Sequence, residues 1–298
     1  MMGGRPLISF DWAIKRLLRQ KANYEVLEGF LTVLLRRKIT IINIPDAQGD
    51  KATSDDKSNA VDILCEDEHK ELILIELQYN SETNYFRRML YGVSKTITEH
   101  MFEGFEYDQV RKVYSINIVY FDLGQGDDYV YHGKTEFRGI HTDELLRVNA
   151  HQREFLGVNM PYEVFPEYYI LKVRKFNDVA KDTLDEWIYY LKNGRLPEQY
   201  SAPGLEKAEQ ILNYSTMDAA TKALYDAHIK ARRIAHDELE TAKLEGREEG
   251  LKEGIKEGQR YTVVNAFRQG IPEATIALIA TISEAEVRQI LQEEGLVE

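Results

Sequence analysis

Apolar residues recur at helical spacing through residues 10–37: Ile14, Leu17, Leu18, Tyr24, Leu27, Leu31, Leu34 and Leu35. A polar break at Ala22-Asn23 predicts two helices there rather than one. Residues 38–44 are β-branched and end at Pro45, which predicts a short strand. A polar loop follows over 46–58. Two apolar-rich strands are predicted next, 59–67 and 71–79, around a charged turn at Glu68-His69-Lys70. Residues 82–102 read as a helix, with Phe86, Leu90, Val93 and Ile97 as the face toward the sheet. A strand at 111–123 completes an α-β-β-β-α-β order.

Further strands are expected at 129–140 and 162–173, with a helical piece between them around 143–155. The pattern then turns helical, at 178–192, 205–213 and 217–244, with Asn193-Gly194 as a stop signal. This shift sets three expected parts: a domain over 1–176, a helical region over 177–260, and a small helical tail over 261–298. Gly246, Gly250, Gly254 and Gly258 form an internal repeat, each glycine preceded by glutamate. Their four-residue period keeps them near one helical face, drifting about 40° per step. A frayed linker and a self-association surface both fit that pattern. In the tail, Pro272 suits a first helical turn and Ser283 a cap. The pair resembles a helix-turn-helix, but its second helix carries Arg288 against Glu284 and Glu286, which favours a packing or oligomerisation module over a base reader.

Composition narrows the class. The 298 residues are 43% hydrophobic and 30% charged, which excludes a disordered chain. No apolar run approaches the ~20 residues that span a bilayer, and the first ten residues lack a secretory pattern. A single cysteine, Cys65, excludes an internal disulfide and a multi-cysteine zinc site. A cytoplasmic location without membrane attachment is the expectation. The net charge of −12 argues against a protein that coats nucleic acid, but its distribution is uneven. Residues 1–40 hold eight basic and three acidic side chains; residues 41–80 hold three and ten.

Two of those acids interrupt apolar strands. With the hairpin turn centred on His69, residues whose numbers sum to 138 face each other, and Asp62 and Glu76 meet that sum. Facing side chains on adjacent strands lie ~5 Å apart, a spacing that can hold a divalent ion. Leu72, Leu74, Glu76 and Gln78 share one face of the second strand. Buried carboxylates are costly unless protonated, paired or bound to metal, and Mg²⁺ prefers such oxygen ligands. On the following helix, Arg88, Tyr91 and Lys95 fall on one face at i, i+3 and i+7, a stripe suited to phosphates. No G-x-S-x-G or phosphate-loop motif occurs, so serine-hydrolase and nucleotide-loop chemistry find no support.

The order of elements, Asp62 followed by Glu76-Leu77-Gln78 closing an apolar strand, resembles the PD-(D/E)xK nuclease superfamily. The stretches Phe10-Asp11-Trp12-Ala13-Ile14-Lys15-Arg16-Leu17-Leu18, Arg88-Met89-Leu90-Tyr91-Gly92-Val93-Ser94-Lys95 and Val113-Tyr114-Ser115-Ile116-Asn117-Ile118 resemble its recombination-promoting nuclease and transposase group. The resemblance implies an α/β fold with a restriction-endonuclease-like mixed sheet and a helical C-terminal region. It also implies Mg²⁺-dependent cleavage of DNA phosphodiester bonds, with Mn²⁺ as a substitute, in recombination or mobile-element biology. By position, Asp62, Glu76 and the Leu77 carbonyl would ligate the metal. Asp62, Glu76 and Gln78 would form the catalytic set, and Arg88, Tyr91 and Lys95 would bind substrate. Gln78 stands where the superfamily commonly has lysine; Lys95 is the expected source of the missing charge, and Glu28 of an extra acid. Val61 stands in place of the proline. The competing expectation is a catalytically inactive DNA-binding or oligomeric scaffold on the same fold, assembled as a homo-oligomer through its C-terminal helices.

Overall fold

The computed structural model describes residues 7–44, 62–101 and 106–297. The loop expected over 46–58 and the first residues of the strand expected from 59 lie outside them. The predicted break after the first helical turns is present. Helix α1 (Phe10–Arg16) passes through a 3₁₀ turn at Lys21–Asn23 into α2 (Tyr24–Leu35). The strand expected over 38–44 shrinks to β1 (Ile41–Asn43), and Ile39 just before it is tied to α2 instead. The Ile39 N–H donates to Thr32 Oγ1 at 3.0 Å.

β2 (Ile63–Asp67) and β3 (Leu72–Gln78) form the predicted hairpin. Its turn is built by Asp67, whose Oδ1 accepts the N–H groups of His69 at 3.0 Å and Glu71 at 2.9 Å. Arg37 in turn holds the other Asp67 oxygen at 2.9 Å. Helix α3 (Tyr85–Glu99) crosses over to β4 (Val113–Val119), which runs parallel to β3. β5 (Val130–Gly133), α4 (Ala150–Leu156) and β6 (Glu167–Lys172) follow. The six-stranded mixed sheet has the order β1-β2-β3-β4-β6-β5, with β3, β4 and β6 parallel. The strand expected over 129–140 ends at Gly133, which sits opposite Tyr168 near the start of β6; beyond it there is no partner edge to pair with.

The two faces of β3 have different neighbours. Ile73, Ile75 and Leu77 join the main core with Phe10, Ile14, Phe30 and Leu31 of α1 and α2. Leu72 and Leu74 instead pack with Val93 of α3 and Val113. The face that α3 presents is not the expected one. Tyr85, Met89, Val93 and Thr96 are buried, whereas Phe86 and Leu90 are 55% and 61% exposed. Tyr85 decides this rotation: its ring meets Phe121 edge-on at 5.6 Å and its hydroxyl lies 3.3 Å from Asn117 Oδ1.

α5 (Thr183–Asn193) and α6 (Leu205–Leu212) belong to the main core rather than to a separate region. The chain divides into compact units Met1–Tyr225 and Asp226–Glu298, so the boundary expected near 176 falls inside the first. The approach of α2 to the turn before α6 is close: a Cβ added to Gly29 would lie 2.3 Å from the Pro203 carbonyl oxygen. α7 (Ala219–Arg268) continues unbroken through the glycine repeat, and added Cβ atoms at all four glycines would meet nothing within 4 Å. α8 (Glu273–Ala280) and α9 (Glu284–Glu293) bury Ile276, Ala280, Val287 and Leu291 with Val263 and Ala266 of α7, as a packing module does. Pro272 is the cap of α8 rather than a residue of its first turn. Among the described residues no helix is long and apolar enough to cross a membrane.

One buried group stands out in the sheet. Lys172 ends β6 at 2% exposure, in phase with Tyr168 and Ile170 on the α3 side. Its ammonium lies 5.5 Å from the Tyr131 ring centre, and among the described residues Nζ has no hydrogen-bond partner. A buried ammonium without an acceptor is costly, and the ring offsets only part of that cost. Lys172→Met is expected to raise stability by about 1 kcal/mol or more, read as a higher midpoint in urea. A lower midpoint would show that the ammonium is compensated.

Candidate active site

The β2–β3 ladder pairs Ile63 with Ile75, Leu64 with Leu74 and Cys65 with Ile73, the register expected from the turn. Asp62 immediately precedes the first of these pairs and Glu76 immediately follows it. Leu64 and Leu74 share the α3 side of the sheet, and alternation carries that side to Glu76. A Cβ built on Gly92 of α3 would lie 3.7 Å from Leu74 and 4.0 Å from Glu76 Oε1, so the helix runs close above the carboxylate.

Asp62 is fixed at both oxygens. Its Oδ2 accepts the Leu77 N–H at 2.7 Å, and its Oδ1 lies 2.8 Å from Lys15 Nζ. The Asp62 carbonyl accepts from Arg19 Nη2 at 2.7 Å. Lys15 and Arg19 are four residues apart, one turn along the start of the chain, and both reach the same aspartate. Glu76 is 6% exposed. Its Oε2 is buried, has no hydrogen-bond partner among the described residues, and lies 3.7 Å from Arg88 Nε. Arg88 is shared with Glu82, whose Oε2 is 3.1 Å from Nη1. Burial pushes the Glu76 carboxyl above its ordinary value; Arg88 opposes this, while Asp62 and Glu82 add to it. The same burial, reinforced by Glu76, raises the nearby Tyr85 hydroxyl.

The remaining expected residues are placed as follows. Gln78 is half-buried at the end of β3, in phase with Glu76, and its Nε2 donates to the Asn80 carbonyl at 3.3 Å. Arg88 joins the acid pair directly. Tyr91 is 50% exposed on the outer side of α3. Lys95 lies 3.6 Å from Glu99, along its own helix. Beside Arg88 at Glu76, the fold sets Lys15 of α1 against Asp62. Glu28 Oε1 accepts the Ile41 N–H at 2.7 Å and ties β1 to α2. Among the described residues no group of three or more histidine, cysteine, aspartate and glutamate side chains could hold a metal ion.

Two interacting carboxylates, one with an oxygen that has no hydrogen-bond partner among the described residues, make an oxygen-only donor set, which suits a hard divalent cation completed by water and substrate oxygens. A surface cleft of about 400 Å³, lined by Glu25, Tyr200, Gly204 and Lys207 among others, shares no residue with this site. A family model described as PD-(D/E)XK nuclease family transposase matches residues 8–242, from the start of α1 into α7. No curated protein and no solved structure matches the chain. With the mixed sheet, the acid pair on its central hairpin and this match over most of the sequence, the chain belongs to the PD-(D/E)XK nuclease family transposases.

Proposed function

We propose that the chain is a Mg²⁺-dependent DNA endonuclease, with Mn²⁺ able to substitute, acting in recombination or mobile-element biology. Family membership carries the nuclease-type, mobile-element-associated part of this reading. The observation that carries the rest is the buried Glu76 Oε2, which has no hydrogen-bond partner among the described residues and feels the charge of Asp62. Asp62, Glu76 and the Leu77 carbonyl would hold the ion. When bound, it supplies a Lewis acid for the scissile phosphate and makes water acidic enough to attack at neutral pH.

The protein's own groups do the positioning. The Leu77 N–H keeps Asp62 in one orientation. Gln78 brings a carboxamide that can orient a water without adding charge. Arg88, Tyr91 and Lys95 extend along α3 from Glu76, where they would hold flanking phosphates. The second reading, an inactive DNA-binding or oligomeric scaffold, is favoured by Gln78 in the lysine position and by the net charge of −12.

Calorimetric titration with Mg²⁺ and Mn²⁺ separates the two. Wild-type protein should bind either ion and nick supercoiled plasmid DNA only when the ion is present. Asp62→Asn keeps an oxygen for the Leu77 N–H but loses the charge, and should show neither heat nor nicking. An isotherm unchanged by this substitution would remove the nuclease reading and leave the scaffold.

A further inference from the structure

Building on the nuclease reading, we infer that Lys15 is a catalytic residue: its ammonium replaces the strand lysine that Gln78 lacks, leaving Asp62 for the scissile phosphate. Among the described residues three cations reach Asp62 or Glu76, and their settings differ. Arg19 is half-buried and occupied with the Asp62 carbonyl. Arg88 is held between Glu76 and Glu82, with its side chain 24% exposed. Lys15 has a side chain that is 48% exposed and an ammonium 2.8 Å from Asp62 Oδ1. It is the most exposed member of the set, on a flexible four-carbon stem.

The position of Lys15 dictates a competition. A divalent ion drawn to Asp62 meets an ammonium already on Oδ1, and like charges repel. The ammonium gives way, yet its stem keeps it within a side-chain length of the same carboxylate. There the strongest negative partner newly available is a non-bridging oxygen of the substrate phosphate. An ammonium at that oxygen stabilises the charge that builds up as the water attacks and the sugar oxygen departs. Lys15 thus pairs with Asp62 until an ion binds there and would then serve the phosphate. It transfers no proton in this role, and the phosphodiester bond still breaks by addition of water.

The consequence is a pair of effects with opposite signs. Lys15→Met should bind Mn²⁺ about tenfold more tightly by calorimetry, since a competing charge has gone. At saturating Mn²⁺ the same variant should nick plasmid about 100-fold more slowly. Lys15→Arg should recover most of the rate, because the charge is kept. A lysine that only props Asp62 in place would instead lower metal affinity and rate together when removed. Looser Mn²⁺ binding in Lys15→Met, or an unchanged rate at saturation, overturns the assignment of Lys15. Loss of the isotherm in Asp62→Asn would still uphold the nuclease reading in that case. A wild-type chain that binds no Mn²⁺ overturns both. Circular dichroism melts of the two Lys15 variants confirm that they are folded, as the half-exposed position allows.

Discussion

Glu76→Gln is expected to abolish metal-dependent nicking, by 1000-fold or about that, while making the folded chain more stable at neutral pH. The substitution preserves shape and removes one negative charge from a buried pair. In the folded chain burial holds the Glu76 carboxyl above its ordinary value of 4.5, and the charges of Asp62 and Glu82 push the same way against Arg88. Folding therefore favours the protonated acid. Its contribution to stability is fully present below the unfolded-state value and is lost as pH rises through the folded one. Glutamine cannot ionise and escapes that loss. The gap between variant and wild-type melting temperatures should thus widen from about pH 4 to about pH 7. A variant that melts lower at neutral pH would mean that the Arg88 contact outweighs burial. Retained cleavage would remove Glu76 from the site.

The second large effect lies far along the chain. Trp187→Ala should cost about 3–5 kcal/mol, a sizeable part of a domain's total stability. Trp187 is fully buried on α5, with its ring centre 5.5 Å from that of Phe30, 6.2 Å from Phe10 and 6.2 Å from Tyr190. Its Nε1 also donates to the Pro203 carbonyl at 3.2 Å. The indole thus joins α1, α2, α5 and the turn into α6. Urea unfolding measures the cost directly. A loss below about 1 kcal/mol would mean that α5 merely leans on the nuclease core.

That contact also explains what the sequence could not convey. Periodicity shows that a helix such as α5 buries one face, through Leu184, Trp187, Ile188 and Leu191, but not what that face is buried against. A change in composition near 176 therefore looked like a boundary, although Trp187 meets Phe10 across the core. The hairpin was legible because its information is local. Asp62 and Glu76 are fourteen residues apart, and their pairing depends only on where the turn falls. Lys15 is different. Its partner lies forty-seven residues away, beyond a stretch that gives no register, and only the fold brings the two within 2.8 Å. The one hint was the excess of basic residues in 1–40, with Lys15 and Arg19 one turn apart. The buried face of α3 departs by one residue from the apolar periodicity for a related reason. Hydrophobicity alone ranks Phe86 with Tyr85, whereas the hydroxyl of Tyr85 finds Asn117 inside the sheet.

The Asp67 turn has a reach beyond its own five residues. It acts as a ruler at the far end of the hairpin: because β side chains alternate, the parity of the residue count between Asp67 and Leu72 decides which side of the sheet Asp62 occupies. One residue gained or lost there would separate the two acids without touching either. Chemistry at one end of the strands is thereby written into loop length at the other.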